Sequence, residues 1–180
     1  MGRGRPRPRG DVLFTSCDSS YFHSHATTLI ASASAARNDV HVHVVNPDEN
    51  VFLRMRDVVE QETNITVSFS YEETDLEPAV DRSTYYACNR FLVAEQILDE
   101  VDRLLVIDTD CLLMRNFEFP VSKDLGLFTR ESAPGTNGWV HLGTKVAAGI
   151  VFLTQDRLMG ALFHRGSYHH QKYPENLSCD

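Results

Sequence analysis

Apolar positions along this chain change period repeatedly, and each change marks an element. Val12 to Thr15 is a short apolar run that predicts a strand, and the polar stretch Ser16 to Tyr21 reads as the loop after it. A segment rich in Ala, Ser and Thr, from about His25 to Ala36, predicts a helix. Val40 to Val45 alternates with period two, which predicts a strand with one half-polar face, His41 and His43 forming an exposed stripe, before Asn46-Pro47 ends it. Val51 to Gln61 reads as a helix and Ile65 to Phe69 as a third strand. Ser83 to Leu98 carries Tyr86, Phe91, Ala94 and Leu98 at helical spacing, with Ser83 as its N-cap. An apolar run ending at Asp108 is the fourth strand; Leu125 to Phe128 and Ala148 to Leu153 read as two more, and about Thr154 to His164 as a last helix.

Strands that alternate with helices predict βαβ units and a mainly parallel sheet covered on both faces. Ligands of such sheets bind at the carboxyl ends of the strands. Thr15-Ser16-Cys17-Asp18 and Asp108-Thr109-Asp110 then open on the same rim.

Asp108 and Asp110 stand one residue apart in the otherwise apolar run Leu104 to Leu113. An ionised carboxylate buried without a partner is costly, so the pair is expected to reach the strand end and meet a cation. Residues i and i+2 of an extended chain project to the same side, which lets both carboxylates converge on one ion or one phosphate-bound ion. A solvated surface turn is the plain alternative, and the apolar residues on both flanks argue against it.

Composition narrows the possibilities. A chain of 180 residues fits one domain, taken here as residues 11–180. The net charge is −8, yet Arg3, Arg5, Arg7 and Arg9 all fall in the first ten residues, an Arg-Pro alternation read as a disordered basic arm. The body is therefore more acidic than the whole, which argues against nucleic acid as a partner. No apolar run approaches the ~20 residues of a membrane span, and no hydrophobic signal core is present, so the sequence predicts a soluble cytoplasmic protein. Cys17, Cys88, Cys111 and Cys179 lack a CxxC pair and read as reduced core thiols. The sequons at Asn64 and Asn176 carry no weight in that compartment.

Four segments in this order resemble the GT-A fold nucleotide-sugar glycosyltransferases of family 8, the group with glycogenin-like and bacterial galactosyltransferase-like enzymes. They are Phe14 to Tyr21, Ser83-Thr84-Tyr85-Tyr86 with Arg90-Phe91, Leu105 to Asp110, and Ala148 to Leu153. The resemblance implies a Rossmann-like sheet, a UDP-sugar donor, a carbohydrate or protein acceptor, and Mn²⁺ or Mg²⁺. It implies that Thr15, Ser16, Asp18 and Tyr21 hold the uridine, that Arg90 lies near the donor, and that Asp108 contacts the ribose while Asp108 and Asp110 hold the metal. Ala148 and Gly149 fall where the family contacts the sugar, with Ala147 in place of the family's usual Asn. Asp180 matches the acid near the sugar and is the catalytic candidate. The family's later His and Lys-Pro-Trp-like segment have no counterpart before Asp180, so a domain lacking the C-terminal part of the fold is expected; His41, His43, His141, His164, His169 and His170 are the histidines weighed as substitute ligands. Retention at the anomeric carbon is likewise an implication of the resemblance.

Two other readings compete. A haloacid dehalogenase-type phosphatase also carries Asp-x-Asp after a strand, but it favours Thr or Val two positions on, where this chain has Leu112, and it places the motif near the domain start. A GT-A fold that binds nucleotide without turnover is the second.

Overall fold

The computed structural model describes residues 10–75, 82–120, 122, 125–131 and 144–154. The basic arm over residues 1–9, the helix expected after Thr154, His141, His164, His169, His170 and Asp180 lie outside the described residues. The elements are β1 (Asp11–Asp18), α1 (Ser19–Tyr21), a π-helical turn (Phe22–Ala26), α2 (Thr27–Ala36), β2 (Asp39–Val45), α3 (Glu49–Gln61), β3 (Val67–Glu72), α4 (Arg82–Leu98), β4 (Arg103–Ile107), β5 (Leu125–Glu131) and β6 (Thr144–Thr154). They form one six-stranded sheet in the order β3-β2-β1-β4-β6-β5. The first four strands are parallel; β6 runs antiparallel to both β4 and β5. The chain is thus α/β with a mostly parallel mixed sheet, as the alternation predicts. No helix among the described residues is long and apolar enough to cross a membrane.

Side-chain alternation sorts the core into two layers. Leu13, Cys17, Val40, Val42 and Val44 point to the face packed with Phe22, Leu29, Ala33, Val51 and Met55 from the π-helical turn, α2 and α3. Val12, Phe14, Leu104 and Val106 point to the other, packed with Val93, Ala94, Ile97 and Leu98 of α4. Burying each such Val, Leu, Ile or Phe fully contributes about 1.5–3 kcal/mol. At the amino ends of the strands, Arg103 forms a two-point ion pair with Asp11 and donates to the Phe119 carbonyl at 3.2 Å, locking the start of β4 to the start of β1.

Several boundaries differ from expectation for local reasons. β1 continues through Asp18, so Ser16 is a strand residue rather than a loop residue. Asp18 itself ends the strand by capping α1, its carboxylate accepting from the Tyr21 amide at 2.8 Å. The helix after β1 therefore starts at Ser19, earlier than the apolar period shows. α4 begins at Arg82, which puts Ser83 inside its first turn rather than at the cap. Of the cysteines, Cys17 is a buried free thiol pushed up to about 12 by burial, and Cys111 is a half-buried free thiol. Cys88, on α4, is disulfide-bonded, so the reading of the cysteines as reduced thiols fails there. Wide spacing in sequence does not limit which cysteines a fold brings together.

The largest correction concerns His41 and His43. Both are buried, at 8% and 4% exposure, because the polar face of β2 lies beneath α4 and not toward water. Their polar atoms are met by the neighbouring strand: His41 contacts Ser68 Oγ at 2.7 Å and Ser70 Oγ at 2.8 Å, and His43 Nδ1 contacts Ser70 Oγ at 2.8 Å. At the end of this row, Glu72 accepts from Tyr85 Oη at 2.5 Å and from Asn89 Nδ2 at 3.2 Å, which ties β3 to α4. The His43 imidazole, the Tyr85 hydroxyl and the Asn89 amide together hold the Glu72 carboxyl below its ordinary range despite partial burial. A carboxyl whose folded pKa is depressed contributes stability above its unfolded value and loses it as pH falls through the folded one. Glu72→Gln should accordingly be less stable than wild type in urea unfolding at pH 7, with the gap closing as pH drops below about 4.5. A gap independent of pH, or widest in acid, would contradict this account of the row.

Candidate functional site

The connections set where a ligand can sit. From β1 the chain steps outward to β2 and β3, then returns through α4 on the opposite face to β4, on the other side of β1. Strand order therefore reverses between β1 and β4, and in open α/β sheets the crevice for a ligand lies outside the strand ends at such a point. Asp18 ends β1 and Asp108 follows β4, so both border it.

β4 stops at Ile107, and the next residues turn instead of continuing extended: the Cys111 amide donates to the Asp108 carbonyl at 3.1 Å. The expected same-side projection of Asp108 and Asp110 is therefore not that of a strand. Thr109 turns inward, 5% exposed, its hydroxyl 2.7 Å from that of Thr15 and 3.3 Å from the Ser16 carbonyl. That bond sets the turn against β1 and leaves the two carboxylates at the surface, Asp108 half-buried and Asp110 exposed. The Cys111 thiol beside them is raised first by burial and then by the charges of Asp108 and Asp110.

Asp108 does meet a cation, and the protein supplies it. Arg90, reaching from α4, pairs with the Asp108 carboxylate; its side chain is 12% exposed, against 41% for Asp108. The same guanidinium lies over the Phe91 ring at 5.1 Å. From the other side, the Asp108 amide donates to the Gly149 carbonyl at 3.0 Å. A Cβ on Gly149 would fall onto the Asp108 carboxylate, which would have to shift to admit it.

Asp108, Arg90 and Gly149 are thus brought together by the turn after β4, by α4 just before it in the chain, and by the later strand β6. Ala148 precedes Gly149 on β6. Ser16 is buried on β1, and Thr15 is buried with its hydroxyl engaged by Thr109. Asp18 borders the crevice with one carboxylate oxygen held by the α1 cap. Tyr21 is half exposed, its ring 5.1 Å from that of His25. Thr109, Tyr85, Asn89 and Glu72 were not singled out as site residues. The signal for the last was available: polar residues alternate on β3 at Ser68, Ser70 and Glu72 in step with those on β2.

Among the described residues no three His, Cys, Asp or Glu side chains form a group able to cage a metal. Two clefts of about 300 and 370 Å³ among the described residues lie at the opposite rim, around Arg37 and Asn116, and are not lined by Asp108 or Arg90. No protein-family model matches the sequence, and no curated protein matches it significantly.

The close approach at Gly149 yields a test. Gly149→Ala should push the Asp108 carboxylate away from Arg90 and lower stability by about 1–3 kcal/mol, the usual cost of overpacking a filled position. Wild-type stability for this variant would show that β6 has room to spare.

Proposed function

We propose that this protein is a divalent-metal-dependent glycosyltransferase that moves a hexose from a UDP-sugar to a carbohydrate or protein acceptor, on a GT-A-type α/β fold. The observation that carries the reading is the meeting of Asp108, Arg90 and Gly149 at the β1/β4 crevice, with Asp110 exposed beside them. Two carboxylates and one guanidinium are a poor cage for a bare metal. They suit a hard divalent ion that takes one or two protein carboxylates and completes its shell from diphosphate oxygens and water. In this reading Asp108 and Asp110 hold Mn²⁺ or Mg²⁺, which supplies charge stabilisation to the departing diphosphate. Arg90, which pairs with Asp108 here, would add a fixed positive charge beside the phosphates. Asp18 and Tyr21 follow directly on β1, and offer a carboxylate and an exposed ring to the uracil base. The catalytic assignment of Asp180 rests on resemblance alone.

The Arg90–Asp108 pair also favours a second reading, a nucleotide-binding protein without turnover, since Asp108 is already neutralised without any metal. The compartment belongs to the proposal as well. The Cys88 disulfide favours an oxidising compartment over the cytoplasm expected from the sequence.

Calorimetry with UDP, with Mn²⁺ or EDTA, tests the proposal. UDP should bind measurably only with the metal, because the acidic rim and the diphosphate repel each other. Asp108→Asn and Asp110→Asn should each weaken that binding by about tenfold or more, in keeping with the loss of a charged ion ligand. Their stabilities should differ: exposed Asp110→Asn stays within about 0.5 kcal/mol of wild type, whereas Asp108→Asn falls because it strips the partner from a mostly buried Arg90. Equal UDP affinity with and without metal would contradict the metal role. Release of UDP from UDP-hexoses separates the transferase from the non-catalytic reading.

A further inference from the structure

Helix α2 ends on an arginine in a conformation that favours glycine. Arg37 has φ 60° and ψ 41°; its amide donates to the Ser34 carbonyl at 3.1 Å and the Asn38 amide to the Ala33 carbonyl at 3.0 Å, the paired bonds of a Schellman ending. A residue with a Cβ is strained there, and a short asparagine tolerates the position better than a long side chain does. A cation near a helix carboxyl end gains from the helix dipole. Any position in the last turn offers that gain without the strain, yet the last turn of α2 carries no basic residue. The dipole thus leaves the Arg37 side chain unexplained, and what it borders is a cleft.

The cleft measures about 300 Å³, at the small end of ligand sites, and its lining includes Ala36, Arg37, Leu113, Met114, Arg115 and Asn116. Its walls are fixed to each other on both sides of Arg37. Ser32 Oγ accepts from the Leu113 amide at 3.1 Å; Asn38 accepts from the Phe117 amide at 3.1 Å and donates to Asn116 Oδ1 at 3.1 Å. No acid lines this cleft, and neither Arg37 nor Arg115 forms an ion pair among the described residues. Asp11, Asp39 and Glu118 line the adjoining cleft instead, where Asp11 is paired with Arg103 and Asp39 accepts from the Thr66 amide at 2.7 Å. In a chain of net charge −8, two guanidinium groups on one acid-free cleft set the sign of what binds. Met114, 90% exposed, adds an apolar wall.

We propose that this cleft binds a phosphate monoester with a small apolar body. Two guanidinium groups match the double charge and the several oxygens of such a group, where a carboxylate brings a single charge. Leu113 and Met114 take the apolar body. The lining holds no carboxylate for a metal ion, so a metal-bound nucleotide is not its ligand. The site lies at the opposite rim from Asp108 and does not rest on the transferase reading.

Phenyl phosphate, inorganic phosphate and benzyl alcohol, each titrated into the isotope-labelled full chain at about pH 8, where the monoester is dianionic, test the site by NMR. Phenyl phosphate should shift the amides of Ala36, Arg37 and Leu113 to Asn116 saturably, inorganic phosphate should bind there about tenfold more weakly, and benzyl alcohol should leave them unmoved. Arg115→Gln and Arg37→Gly should each weaken phenyl phosphate binding by about tenfold or more, the effect of one lost charged hydrogen bond. Arg37→Gly should melt no lower than wild type and up to about 4 °C higher, because glycine releases the strain, while exposed Arg115→Gln stays within about 2 °C. Shifts centred on the Asp108 rim, no saturable shifts, equal binding of the two phosphates, or wild-type affinity in either variant would overturn the proposal. So would a lower melting temperature for Arg37→Gly, which would make the arginine a structural brace.

Discussion

The pairing of Arg90 with Asp108 is the contact around which the carboxyl-terminal rim is organised. A mostly buried guanidinium requires a partner, and the partner must stand at the end of β4. Three other features follow. Gly149 must lack a side chain for β6 to pass the carboxylate where it stands, Thr109 must turn inward to Thr15 so that Asp108 faces the surface, and α4 must be fixed closely enough to aim Arg90. The last of these falls to Glu72, which holds Tyr85 and Asn89 one turn and one residue before Arg90.

Much of the frame was legible in the chain. Period-two and helical spacings locate the strands and helices, and their alternation gives the parallel sheet, because backbone geometry leaves few ways to cover apolar runs of those lengths. Arg90, Asp108 and Gly149 were all named as site residues from quoted motifs, and the fold brings these three together. The metal and substrate roles attached to them go beyond the geometry and remain part of the proposal.

Other features were not legible, for physical reasons that differ from case to case. His41 and His43 look solvent-facing in isolation, since polar alternation on a strand has the same pattern whether water or a second polar strand lies opposite. The matching serines of β3 and the covering helix decide it. That Asp108 meets an arginine supplied by the chain depends on the packing of α4, which no local pattern encodes. The Cys88 disulfide is likewise a product of tertiary structure, since spacing along the chain does not say which cysteines meet.

The central claim is that Asp108 and Asp110 hold a divalent ion together with a nucleoside diphosphate. Mn²⁺ is paramagnetic, so amide resonances near its site broaden selectively in a two-dimensional NMR spectrum of the labelled protein. With UDP present, substoichiometric Mn²⁺ should broaden Asp108 to Cys111, Gly149 and Ile150 first, while the opposite rim around Arg37 and Asn116 stays sharp. Broadening centred elsewhere, or equal in extent without UDP, would contradict the claim.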